Sequence, residues 1–208
     1  MTRVAGVDGT KGGWVAVELE EGRFVRDRLL AIDTAFEELA AAEVIGIDIP
    51  IGFGPREADR AARKFLAGSA STVFTTPSQA ILASPFGPGL GVSAHAHALG
   101  PRVIQVTELA RGDSRLREVH PEVSFRAMNG GRPLGYRKKS AGGALERLSL
   151  LEREGIDVRV AEAAAAPLDD VLDAAAAAWS AHRIAAGIAK TLPDPPEDVD
   201  SSQVAIWY

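Results

Sequence analysis

Apolar positions follow a short period early in the chain and a helical period late in it. Residues 3–8 (RVAGVD), 13–20 (GWVAVELE) and 23–32 (RFVRDRLLAI) are valine-rich runs joined by short polar connections, and the second alternates. Period-two patterning between tight turns predicts an antiparallel three-strand meander. A short helix is expected at 35–42 (AFEELAAA), capped by Asp33 or Thr34. Residues 44–52 (VIGIDIPIG) then form a wholly apolar run bearing one acid, the mark of a central buried strand.

Gly54 and Pro55 suit the start of a helix reaching about Leu66, with Arg56, Arg60, Arg63 and Lys64 spread along it. Residues 68–101 are dense in Gly, Pro, Ser and Thr, too long for a simple connector. A partly helical insertion or lid is expected there, taken as approximately 68–112 within a single domain spanning 1–208. The stretch 115–125 (RLREVHPEVSF) resumes strand character and ends at Glu122, before a Gly-Gly turn and the basic loop GYRKKS. Ser140 is placed to cap a helix running to Glu154, with Gly155 as its stop. The alanine-rich stretch 168–190 predicts the longest helix, its stripe of Val171, Leu172, Ala175, Trp179, Ile184 and Ile188 lying on the sheet. PDPPEDVD at 193–200 reads as an acidic loop, and VAIWY at 204–208 as a terminal strand tucked against the sheet.

A length of 208 residues suits one domain. The 46% hydrophobic and 25% charged content is that of a soluble globule, and no apolar stretch approaches the roughly 20 residues of a membrane helix, so no membrane partner is expected. The opening MTRVAGVDGT lacks the order of a signal peptide, so a cytoplasmic location is expected. Zero cysteines exclude disulfides, thiolate zinc sites and cysteine nucleophiles. A net charge of −5 repels polyanions on average, so binding of nucleic acid requires a local basic patch or bound cations.

The informative residues are acids at strand positions, because burying an unpaired carboxylate costs several kcal/mol. Asp8 ends the first strand and Asp48 the fourth. If those strands are neighbours, both side chains converge at one sheet edge. Converging acids repel, and either share a proton or hold a cation. With no softer ligands around them, Mg²⁺ or Mn²⁺ is the cation expected. On the last helix Asp170 and Asp173 are three apart and share a face, whereas Asp169 points about 100° away. Each acid taken singly also reads as a turn former or a first-turn helix acid.

Taken together, the meander, helix, fourth strand and acid-bearing final helix resemble the ribonuclease-H-like fold: an α/β mixed central sheet, three antiparallel strands plus parallel ones, flanked by helices. The strings GVDGTKGGW, IDIPIG, HPEVSF followed by MNGGRPL, KKS, DDVLDAAAAAW and AIWY are together similar to the domain of unknown function 429 family, described as predicted ribonuclease-H-like nucleases. The resemblance covers nearly the whole chain. It implies Asp8, Asp48 and Asp173 as metal acids, with Glu122 or Asp170 in support. It also implies two-metal hydrolysis of a phosphodiester, the ions about 4 Å apart, leaving a 5′-phosphate and a 3′-hydroxyl. Lys11, Arg137, Lys138, Lys139 and His120 are the candidates for holding substrate phosphate. The implied partner is nucleic acid; DNA, RNA, branched structures and nucleotides all stay open as substrates, as does oligomeric state.

Two rival readings remain. Asp8 followed by GTKGG also looks like the first phosphate loop of actin-like ATPases, although no second Asp-Gly-Gly-Thr loop is present. A binding domain without chemistry is the other. His95 and His97 would share a face in an extended segment, but lack a third ligand, and an irregular Gly/Pro loop is the reading favoured there. Trp14 and Trp179 read as core, while Trp207 and Tyr208 read either as the terminal strand's anchors or as base-stacking rings.

Overall fold

The computed structural model describes residues 1–199 and 202–208. Strands β1 (Arg3–Thr10), β2 (Gly13–Glu20), β3 (Arg23–Ala31), β4 (Val44–Ile47) and β5 (Leu116–Glu118) form one mixed sheet in the order β3-β2-β1-β4-β5. The first three strands are the antiparallel meander, while β4 runs parallel to both β1 and β5. Helix α1 is shorter than its apolar pattern suggests, only Ala35–Glu38.

Alternation along the strands sends side chains to two cores. Ala5, Val7, Ile45 and Ile47 point to one face, where they pack with Trp14, Phe36, Val103 and Val106. Val4, Val15 and Val17 point to the other face, against Leu172, Ala175 and Trp179 of α8 (Leu168–Ala185). Helices therefore cover both faces of the sheet. Gly6 and Gly46 lie in register on paired strands and face α8. A Cβ at Gly6 would overlap the backbone of Ala174 and Ala178, and one at Gly46 the carbonyl of Ala177. Glycine on the strands and alanine on the helix together allow a backbone-to-backbone approach.

Between β4 and β5 lie α2 (Glu57–Leu66), a 3₁₀ turn (Ala67–Thr72), α3 (Gln79–Ala83), α4 (Ala94–Ala98) and α5 (Gly100–Gly112). The stretch expected as an insertion is partly helical, and its last helix, α5, belongs to the covering layer through Val103 and Val106. Helix α2 begins two residues later than Pro55 suggests, because Arg56 keeps an extended backbone while its guanidinium is bound elsewhere.

The later segments depart further from their patterns. The strand expected to end at Glu122 stops at Glu118; His120 precedes α6 (Pro121–Met128), so Glu122 sits in a helical first turn. Helix α7 (Ala141–Arg153) is capped by Ser140, whose Oγ accepts from Gly143 N at 3.0 Å. Helix α8 ends at Ala185, with Gly187 at φ 69° just beyond, which leaves Ile188 exposed rather than on the sheet. Residues read as an acidic loop form β6 (Thr191–Val199), paired with β7 (Ser202–Trp207) in a separate two-stranded sheet; Asp200 of that string lies outside the described residues. This hairpin packs on α2 through Val204 and Ile206, and Trp207 bridges to Val119.

Candidate metal centre

Parallel pairing of β1 with β4 sets Val7 beside Ile47, and Asp48 N donates to Val7 O at 3.0 Å. Asp8 and Asp48 follow directly, each two residues beyond a helix-facing glycine. Because side chains repeat every second residue along a strand, both acids face α8. Asp173 stands on α8 one turn before Ala177, so the close approach at Gly46 brings it down onto the two strand acids. One carboxylate oxygen from each of Asp8, Asp48 and Asp173 lies within 4.8 Å of the others.

The carboxylates are held in place by few hydrogen bonds. Gly9 N donates to Asp8 Oδ1 at 2.6 Å. Lys138 donates from its ammonium to Asp173 Oδ2, whereas buried Asp173 Oδ1 has no hydrogen-bond partner among the described residues. Burial, reinforced by Asp48 and Asp173, pushes Asp8 well above the usual carboxylate range. Burial and the Asp173 charge do the same to Asp48. Asp173 is raised to about 6, burial outweighing the opposing pull of Lys138. Burial works against the Lys138 ammonium, yet Asp173, Asp48 and Asp8 together hold it above its ordinary value.

These groups open onto a cavity of about 1080 Å³. Asp170 lines it without joining the three-carboxylate group. Glu122 lines it too, but its carboxylate is taken by buried Arg147, whose Nη2 donates to Oε1 at 2.5 Å. Asp169, expected to point away, also lines the cavity and stands 3.7 Å from Lys139. Arg137 and Lys139 are exposed on the wall. His120 lines it as well, its imidazole pushed below its ordinary value by burial. Lys11 is different: it sits exposed in the β1–β2 turn, outside the cavity lining. The extended pairing imagined for His95 and His97 does not form, since both lie on helix α4, and His97 Nε2 contacts Ser84 O at 2.8 Å.

Three features escaped the sequence reading. Glu118, not Glu122, is the acid that ends β5, and it receives Arg56 Nη1 at 2.5 Å and Nη2 at 2.8 Å. Arg56 Nη2 also bonds Asp59, whose Oδ2 accepts Thr76 N at 2.8 Å. Arg102 donates to Thr10 O and to Gly13 O, and its guanidinium lies 4.8 Å from the Trp14 ring centroid, fixing the turn beside Asp8. The G-x-D string repeated at Gly6–Asp8 and Gly46–Asp48 was the available signal for the helix approach.

The family model for a protein of unknown function (DUF429) matches residues 6–198. The chain belongs to the DUF429 family. All three clustered acids, with Lys138, fall inside the DUF429 match. No curated protein and no solved structure matches the chain. Among the described residues, no helix is long and apolar enough to cross a membrane.

Proposed function

We propose that this DUF429 protein has a ribonuclease-H-like fold and is a Mg²⁺- or Mn²⁺-dependent nuclease that hydrolyses phosphodiester bonds. The observation that carries this reading is the convergence of Asp8, Asp48 and Asp173 within 4.8 Å on two strand ends and one helix. Support for the fold comes from an antiparallel meander continued by parallel strands, with the acid-bearing helix packed across it.

The residues suit a hard divalent cation. Every donor is a carboxylate oxygen, Asp173 Oδ1 is buried and unpartnered among the described residues, and the mutual repulsion of the three acids is relieved by positive charge. When bound there, such a cation supplies Lewis-acid polarisation of a phosphoryl oxygen and a more acidic water. Lys138 orients Asp173 through Oδ2 and leaves buried Oδ1 without a hydrogen-bond partner among the described residues. Exposed Arg137, and Lys139 from its solvent-screened pairing with Asp169, can take phosphate oxygens at the cavity wall. His120 lines the same space with Nε2 set 3.4 Å from Thr72 O and Nδ1 buried, so it shapes the cavity wall beside the carboxylates.

The test incubates wild type and Asp48→Asn with Mn²⁺ and single-stranded, duplex, hybrid and branched nucleic acids. Wild type should cleave at least one substrate, and Asp48→Asn should lose about a hundredfold or more, since even outer partners of metal ligands carry 10–100-fold effects. No cleavage by wild type, or equal cleavage by the variant, rejects the nuclease reading.

A further inference from the structure

Tyr136 lines the same cavity yet has no part in the carboxylate cluster. It is 63% exposed. The backbone beneath it is anchored: Gly135 N donates to Glu146 Oε1 at 2.8 Å and Tyr136 N to Glu146 Oε2 at 3.2 Å, which ties the loop to α7. Gly142 of α7 lies under the ring, and a Cβ there would come within 2.9 Å of two ring carbons. The missing methyl lets the ring lie against helix backbone while most of it stays open to solvent. Arg137, Lys138 and Lys139 follow directly along the chain and line the cavity with it.

An exposed aromatic ring next to successive cations has the composition of single-strand binding surfaces, where cations track phosphates and the ring stacks a base. Inside a duplex both faces of a base are already covered by its neighbours, so Tyr136 would find no free face without unstacking. Two of the three acids lie deep, Asp173 at 2% exposed and Asp8 at 9%, while Asp48 is half-buried. The cavity of about 1080 Å³ lies just above the ordinary range of small-ligand pockets. A phosphate on a flexible strand can descend to the acids, whereas one on a duplex is held back by the partner strand.

We infer that the substrate is an unpaired strand of RNA or DNA, one base stacking on Tyr136 while Arg137 and Lys139 hold its phosphates; this rests on the phosphodiester reading above. Fluorescence anisotropy tests it with the full chain carrying Asp48→Asn, in Mn²⁺, against a short labelled single strand and the blunt duplex of the same sequence. The strand should bind about tenfold more tightly than the duplex, and adding Tyr136→Ala should weaken strand binding about tenfold, while Tyr136→Phe retains it. Equal affinity for strand and duplex overturns the inference, as does strand binding indifferent to Tyr136→Ala. An unchanged melting temperature for Tyr136→Ala, expected for so exposed a ring, shows that the loss is local. Cleavage by wild type separates the two readings. Preferential duplex cleavage overturns this inference and leaves the nuclease reading standing, whereas Tyr136-dependent strand binding without cleavage supports the unpaired ligand and rejects the nuclease.

Discussion

Lys138 places its ammonium on Oδ2 of Asp173, reaching from the 135–140 loop to the helix that carries the site's third acid. It contributes one positive charge opposite three carboxylates, so ionisation of all three leaves the cluster anionic. Lys138 thereby steadies the metal-free site without completing it.

Replacing Lys138 by Met should therefore act differently with and without metal. In EDTA, loss of a charge-assisted hydrogen bond to a buried carboxylate should destabilise the fold by about 1–3 kcal/mol. In saturating Mn²⁺ the deficit should shrink, because the cation replaces the missing charge. Paired thermal melts measure both. A deficit that is the same in EDTA and in Mn²⁺ would show that Lys138 serves packing alone.

The pH dependence follows from Asp173, whose folded pKa of about 6 lies above the roughly 3.9 of an unfolded Asp. An acid with a raised folded pKa contributes stability that is fully present below the unfolded value and is lost as pH rises through the folded one. In EDTA the cluster should thus weaken the fold progressively from about pH 4 through pH 6, and the upward shifts of Asp8 and Asp48 extend that loss to higher pH. Asp8→Asn should be no less stable than wild type in EDTA, with an advantage that grows with pH. Mn²⁺ should raise the wild-type melting temperature, by an amount equivalent to about 2.7 kcal/mol at a hundredfold excess over Kd, and raise that of Asp8→Asn less. Equal responses of the two proteins to Mn²⁺ would remove Asp8 from the site.

Helix approach is a separable requirement. Gly46→Ala sets a methyl against the Ala177 carbonyl, which obliges α8 to move outward, at about 1–3 kcal/mol by the usual penalty for overpacking. Gly6→Ala meets backbone on two sides, at Ala174 and Ala178, and should be the worse of the pair. Since the same displacement draws Asp173 away from Asp8 and Asp48, Gly46→Ala should also lower Mn²⁺ affinity, as read by isothermal titration. Undiminished affinity in a destabilised variant would mean that the cluster does not depend on the helix contact.

The strands and the convergence of Asp8 and Asp48 were legible because period-two alternation and isolated acids in apolar runs are local signals, whereas helix spacing left Asp170 and Asp173 as a pair and only the family resemblance pointed to Asp173. Glu118 was less so: in RLREVHPEVSF the proline after His120 looks like an interruption of one strand, whereas it is the first residue of α6. Proline also misled at 193–196, where it suggests a loop because it cannot donate to a ladder. In a two-stranded sheet β6 has one neighbour only, and its register with β7 is broken between Leu192 and Glu197, so the missing donors do no harm. Glu118, which binds Arg56, and Asp173, which binds Lys138, are distant from them in sequence and brought there by packing, so no local pattern names these pairs.

Charge at the cavity wall gives the last prediction. The basic loop contains three cations, but Lys138 is already committed to Asp173, which leaves Arg137 and Lys139 for substrate phosphate. Lys139 lies 3.7 Å from Asp169 while remaining 85% exposed, a pairing that water and salt screen and that phosphate can displace. Arg137→Ala with Lys139→Ala should therefore weaken nucleic-acid binding and flatten the plot of log K against log salt, each lost contact with a single strand lowering the slope by roughly 0.7. Mn²⁺ affinity and melting temperature should hardly change, because both side chains lie outside the carboxylate cluster and the core. Lys138→Met should show the converse, altering the metal response more than the salt slope. An unchanged slope in the double variant, measured across a salt series on the Asp48→Asn background, would place phosphate recognition elsewhere on the cavity wall, with Arg102 the next cation to test.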